Sequence, residues 1–181
     1  QAGHAAMLWS PGGQGAEALR TQPLEAVGVQ PCSVAVEVAG DAAQLCQTSD
    51  VLLIALPANG HRRVMDALLP FLRDGQVVIV SSMASLSSLY LHEGARRAGK
   101  RVTVASFGTT VLTARRESAT QVRVMTRRQA VGVSALPRTW RRIYEACAGG
   151  RTQDALRLHR ALIPLLDLAF AETNPGPLKS V

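Results

Sequence analysis

The stretch SDVLLIALPANGHRRVMDALLPFLRDGQVVIVSS, residues 49 to 82, decides the fold. VLLIAL and VVIV are continuously apolar and bounded by turn residues. That pattern marks strands covered on both faces of a parallel sheet, because a half-exposed antiparallel strand would alternate. Between them Val64, Ala67, Leu68, Phe71 and Leu72 recur at helical spacing, while Arg62, Arg63, Asp66 and Arg73 fall on other faces. The spacing predicts a helix with one side on the sheet. Asn59 is its expected N-cap, and Asp74-Gly75 its expected stop.

Working outward, SSLYLHEGARRAG reads as a second helix and RVTVASF as a third strand, which makes β-α-β-α-β order from about 50 to 106. Upstream, AAMLW and CSVAVEV read as strands and DAAQLCQ as a short helix. Downstream, QVRVMT and AVGVSA are shorter alternating strands, expected to pair antiparallel. From Pro137 the strand signal stops, and a helical hairpin broken at Gly149-Gly150 is expected, with Thr152 as N-cap. Leu158, Leu162, Leu165, Leu166 and Ala169 form an apolar stripe on its second helix, and Pro164 should kink it.

At 181 residues, 47% apolar and 18% charged, the chain can fill one domain plus a small helical appendage. No apolar run reaches the roughly 18 residues that span a bilayer. The first residues lack the cationic start of a secretory signal and read as an interior point of a longer chain. Cys32, Cys46 and Cys147 are odd in number and widely spaced, so buried thiols in a reducing cytoplasm are expected rather than disulfides or zinc ligands. The net charge of +7 is uneven: residues 96 to 142 hold 12 of the 20 Lys and Arg, with Glu117 as their only acid. Nucleic acid is one reading of that run. It is disfavoured by the lack of a binding motif and by only Phe107 and Trp140 as stacking groups. The alternative is that Arg115, Arg116, Arg127 and Arg128 attract small anions or simply face water.

AAMLWSPGGQGAEAL, residues 5 to 19, offers a phosphate-loop reading, since Gly13, Gly15 and Ala18 fit G-x-G-x-x-G/A and Glu37 lies about 20 residues further on. A working phosphate loop leaves a buried strand directly and opens a long helix. Here Ser10-Pro11 intervenes and Pro23 stops any helix early.

GHAAMLWSPGG, the stretch 49 to 82, SFGTTVLTARR and QVRVMTRRQAVGVSALP together resemble the NAD(P)-binding half of octopine/nopaline (opine) dehydrogenases. The resemblance makes 6 to 10 the second strand of that half and places the true glycine fingerprint before Gln1. It implies an α/β fold, a partial Rossmann-like doubly wound parallel sheet lacking its first strand and Gly-rich loop over 1–136, to which the residues from Pro137 onward add the C-terminal helical hairpin over 137–181. The implied cofactor is NAD or NADP, bound weakly or not at all without the phosphate loop. The implied activity is reductive condensation of an amino acid with a 2-oxo acid. Because the family's catalytic His-Asp pair lies in a later helical domain, the resemblance implies no turnover by this chain alone. Dinucleotide and a small anionic substrate are the expected partners.

Ser10 falls where the ribose-reading residue lies in that family, and a hydroxyl there leans toward NADP; an ordinary turn residue is the competing reading. The loop Leu56, Pro57, Ala58 and Asn59 ends a strand at the C-terminal edge of the sheet, where open α/β folds bind ligands. Ser81 and Ser82 end the next strand, and Thr109 and Thr110 the one after, either lining the same crevice or serving as turn residues. His61 reads as a water-exposed histidine in the first helical turn, in preference to a polar group near the cofactor. His92 and His159 also read as solvent-facing.

The last 45 residues, with the motif ETNPGPLK, resemble the C-terminal helices of the dihydrodipicolinate synthase and N-acetylneuraminate lyase family. A fragment of such a Schiff-base lyase is therefore a second reading, although the barrel lysine of that family has no counterpart here and Lys179 stands in the tail. A third is a non-catalytic module that self-associates into a homo-oligomer through the leucine stripe. No G-x-S-x-G, H-E-x-x-H or Walker sequence occurs, and no metal site is expected.

Overall fold

The computed structural model describes residues 4–81, 86–136, 149–154, 156 and 157. In chain order the elements are β1 (Met7–Leu8), a 3-10 turn (Glu17–Arg20), β2 (Leu24–Gly28), β3 (Cys32–Val34), β4 (Glu37–Val38) and α1 (Ala42–Thr48). Next come β5 (Val51–Ile54), α2 (Ala58–Leu68), a 3-10 turn (Leu69–Phe71), β6 (Val77–Val80), α3 (Ser87–Arg97), β7 (Thr103–Phe107), β8 (Leu112–Arg116), β9 (Gln121–Arg127) and β10 (Val133–Leu136). They form a mixed α/β fold with three sheets, ordered β10-β7-β6-β5, β1-β4 and β3-β2-β9-β8.

The expected parallel layer is present: β5 pairs with β6, and β6 with β7, both parallel. Leu52, Ile54, Val78, Val80 and Val104 point to one face, where Val64, Met65, Leu68, Leu72, Leu91 and Ala95 complete the main core. Ile79, Ala105, Phe107 and Val131 form a smaller core beside it. Met65, Leu68 and Leu72 are 0–2% exposed, and burying each contributes about 1.5–3 kcal/mol. Surface ion pairs such as Arg62–Asp66 are worth at most about 1 kcal/mol. Helix-on-sheet packing therefore holds the layer, and the arginines do not.

Several expectations are corrected. β5 is an edge strand covered on one face only, with Val51 53% and Leu53 58% exposed, because no described strand or helix lies on its outer side. β6 alone matches the two-sided burial that continuous hydrophobicity suggested. In α2 the N-cap is Pro57, and Asn59 lies inside the first turn. The helix ends at Leu68, because Pro70 has no N–H to continue the ladder and the chain tightens to a 3-10 turn. That tighter winding changes the angular phase after Leu68, so Phe71 is turned outward; within α2, Met65 takes a core place beside Leu68. Asp74-Gly75 forms the turn after it, with Gly75 at φ +87°.

β9 and β10 do not pair with each other. β10 joins β7 antiparallel, whereas β9 lies between β2 (parallel) and β8 (antiparallel). β2 and β8 escape a sequence reading because their short runs LEAVG and LTARR carry no clean alternation; β8 is exposed throughout. Cys46 is buried as expected, and burial raises its thiol pKa against a smaller opposing effect of Arg73. Cys32 is exposed on β3, an edge strand, contrary to expectation. Residues 152–154, 156 and 157 are helical. The leucine stripe, Pro164, His159, Cys147, Lys179, Ser82 and the lyase-like motif lie outside the described residues.

One surface cluster has a readable pH signature. Glu93 accepts hydrogen bonds from Arg96 and Arg97 on the last turns of α3, which lower its carboxyl from 4.5 to about 2. A depressed carboxyl adds stability that is complete above its unfolded value and is lost as pH falls through its folded one. Thermal unfolding of Glu93→Gln should therefore lie below that of the parent above pH 4.5 and converge with it near pH 2. A constant difference across that window would exclude the pair as its source.

Candidate functional site

Because β5, β6 and β7 run parallel and side by side, their C-terminal ends share one edge of the sheet. That edge brings together the loop Leu56, Pro57, Ala58 and Asn59 after β5, Ser81 after β6, and Thr109 with Thr110 after β7. Pro57, Ala58 and Asn59 are exposed; Leu56, Ser81, Thr109 and Thr110 are half-buried. The Ser81 N–H donates to the carbonyl of Ile54 at 2.9 Å, which stitches the ends of β5 and β6 together. Ala58 and Asn59 open α2, so their backbone N–H groups belong to a first turn without intrahelical acceptors.

Ser10 belongs elsewhere. It comes after β1, whose only described partner is β4, joined through Glu37 N–H to Ala6 and Ala39 N–H to Leu8 carbonyls. The β1-β4 pair still adjoins the main layer, since Trp9 packs against the main core and the Thr48 hydroxyl reaches Met7 Sδ at 3.3 Å. Among the described residues, β1 and β5 each keep one strand edge unpaired.

The glycine-rich turn after Ser10 bonds back on itself through three of its amides. The N–H of Gly13 donates to Ser10, that of Gln14 to Gly12 and that of Ala16 to Gly13, at 2.8–3.1 Å. The chain then makes a single 3-10 turn of four residues, against the long helix a phosphate loop opens. Leu19 and Ala16 tuck inward, 6% and 1% exposed. These residues fold back on one another and lead into no long helix, which does not fit a pyrophosphate cradle.

His61 contradicts its expected exposure. It is 3% exposed, with Nε2 2.9 Å from the Leu56 carbonyl and Nδ1 2.8 Å from Ser87 Oγ. A histidine one turn into an amphipathic helix reads as exposed unless its partners are known, and Ser87 lies 26 residues away. His92 is half-buried rather than solvent-facing, and its Nδ1 has no partner among the described residues. Of the four arginines singled out, Arg128 touches the strand-end edge, donating through Nε to the Thr110 carbonyl at 3.1 Å. Arg116 is tied to the carbonyls of Ser118, Ala119 and Gly15, and Arg127 to the Gln30 side chain. Arg115 sits exposed across from Arg123 on the second sheet. No group of three His, Cys, Asp or Glu placed to hold a metal occurs among the described residues, and none of their helices is long and apolar enough to cross a membrane.

No family model and no curated protein matches the chain. Solved structures do. An octopine dehydrogenase with NADH and L-arginine superposes with a TM-score of 0.65 at 15% identity, over 75% of this chain and 37% of that one. A yersinopine dehydrogenase with NADP+ bound gives 0.58 at 20% identity, over 72% and 35%. A PanE/ApbA family ketopantoate reductase from Ralstonia eutropha gives 0.53 at 17% identity, over 72% and 41%. The chain thus spans about two fifths or less of the length of these enzymes. What it shares with them is the fold, a partial Rossmann-like α/β arrangement.

Proposed function

We propose that this chain is the dinucleotide-binding part of an NAD(P)-dependent, opine dehydrogenase-like oxidoreductase, with NAD or NADP lying across the C-terminal edge of β5, β6 and β7. The observation that carries the reading is the convergence of Leu56 to Asn59, Ser81 and Thr109 on that one edge. Backbone groups of the first loop and hydroxyls of the other two would hold the nucleotide. Ser10, at the end of β1, is the proposed reader of the ribose, and its hydroxyl leans toward NADP.

The pyrophosphate cradle is a different matter. We do not assign it to residues 11 to 16, where the amides of Gly13, Gln14 and Ala16 are taken up within the turn. The unpaired edges of β1 and β5, with Val51 and Leu53 bare beside them, fit a further parallel strand between the two sheets. We place the missing cradle on the turn after such a strand. The catalytic steps on amino acid and 2-oxo acid are assigned to none of the described residues.

Titration of the 15N-labelled chain with NADH and NADPH tests this. The expected result is weak binding, with dissociation constants on the order of 0.1–1 mM, and amide shifts centred on residues 55–59, 81 and 108–110. Shifts centred on residues 11–16 would overturn the assignment of the edge, and no shift at ten times that concentration would overturn dinucleotide binding.

A further inference from the structure

His61 joins the Leu56 carbonyl, five residues before it, to Ser87, 26 residues after it. A carbonyl oxygen can only accept, so the Nε2 that faces the Leu56 carbonyl at 2.9 Å carries the ring proton. In the neutral ring Nδ1 is then the acceptor, and it takes the Ser87 hydroxyl hydrogen at 2.8 Å. Leu56 stands in the loop after β5, while Ser87 is the first residue of α3, at the end of the segment that leaves β6. Ser87 is 8% exposed, so both bonds are made out of water.

The grip on Leu56 is double. A Cβ at Gly60 would come within 2.4 Å of Leu56 Cδ1, so the glycine leaves the space in which the Leu56 side chain lies across the first turn of α2. That side chain also packs against the main core. Pro57, with no N–H and φ of −58°, stiffens the next step. The carbonyl of Leu56 thus has one orientation, and the imidazole sets it.

We propose that His61 is a positioning residue which locks the loop after β5 to Ser87 at the start of α3, so that Leu56 to Asn59 present their nucleotide contacts in one fixed geometry. The inference rests on the dinucleotide reading for its purpose, whereas the locking itself is a property of the free protein.

Amide hydrogen exchange and NADH affinity, measured on His61→Phe, His61→Gln and Ser87→Ala, separate the two. Phe fills the ring's space without either bond, Gln keeps a donor for Leu56, and Ser87→Ala removes the hydroxyl that meets Nδ1 while the donor for Leu56 stays in place. Exchange at residues 56–60 is expected to accelerate in Ser87→Ala although the change lies on another element. In His61→Phe exchange at 56–60 and at 86–89 should rise together, with His61→Gln restoring the first segment alone. NADH affinity should fall about tenfold in His61→Phe and recover to within about threefold in His61→Gln, the scale of one buried hydrogen bond. Unchanged exchange at 56–60 in Ser87→Ala overturns the proposal, and that variant decides the matter should His61→Phe fail to fold. Failure of the parent chain to bind any dinucleotide, with coupled exchange intact, would remove the purpose and leave the lock standing.

Discussion

Joining a strand, a glycine-rich turn and a helix ahead of Gln1, taken from a dinucleotide-binding dehydrogenase of this fold, is expected to raise NADH affinity by about 100-fold or more over residues 1–181. A pyrophosphate held by two or three backbone N–H groups at a helix N-terminus gains charge-assisted hydrogen bonds of about 1.5–3 kcal/mol each. Ordering costs take back part of that gain, and about 2.7 kcal/mol surviving corresponds to the stated factor. The same graft should raise the melting temperature without ligand. It would cover the unpaired edge of β5 together with Val51 and Leu53, now 53% and 58% exposed. Burying those exposed parts contributes about 2 kcal/mol, or a rise of about 4–8 °C for a chain of this size. Calorimetry and a thermal melt read both effects. A melt that rises while affinity does not would put the cradle elsewhere. If neither changes, the gap between β1 and β5 is not a strand slot.

How much of the fold is legible in the sequence depends on whether the deciding contact is local. The parallel layer is legible because VLLIAL and VVIV are strand-sized apolar runs on either side of one amphipathic helix, and every one of those signals lies within 34 residues. The site's strand-end loops come from that layer alone, since parallel strands must end on one edge. The failures are of another kind. Whether VLLIAL is covered on one face or two depends on a neighbour that hydrophobicity does not name, and β5 proves to be an edge. His61 changes from exposed to buried through Ser87, 26 residues on, and a lone histidine pattern carries no trace of that partner. β2 and β8 are held by β9 at separations of about a hundred and about ten residues, so their register, and not their own composition, makes them strands. The glycine-rich turn shows the reverse hazard. Its spacing matches a phosphate loop, yet three of its amides are consumed within the turn itself and a single 3-10 turn follows where a long helix is needed.

Glycine provides the last discrimination, because two glycines of this chain share a positive φ and differ in what surrounds them. Gly28 ends β2 at φ +96°, and a Cβ there would stand 2.2 Å from the carbonyl oxygen of Val124. That oxygen is the acceptor for the Val29 N–H at 3.0 Å, so no small shift relieves the clash without breaking the pairing of β2 with β9. Gly13, at φ +72°, has nothing within 4 Å of the same atom. Gly13→Ala should therefore cost only the backbone strain of a left-handed residue, about 1–2 kcal/mol. Gly28→Ala adds a backbone collision and a lost sheet bond, for about 3 kcal/mol or more, which is a fall of roughly 6–12 °C in melting temperature. The loss matters beyond the second sheet, since β9 leads directly to Arg128, whose N–H and Nε hold the carbonyls of Val111 and Thr110 beside the proposed nucleotide edge. Splitting β2 from β9 should accordingly disturb amide signals at 108–111 as well as at 24–29, whereas Gly13→Ala should leave both NADH binding and those signals as they are. Equal melting temperatures for the two variants would mean that the β2-β9 pairing contributes nothing to the fold.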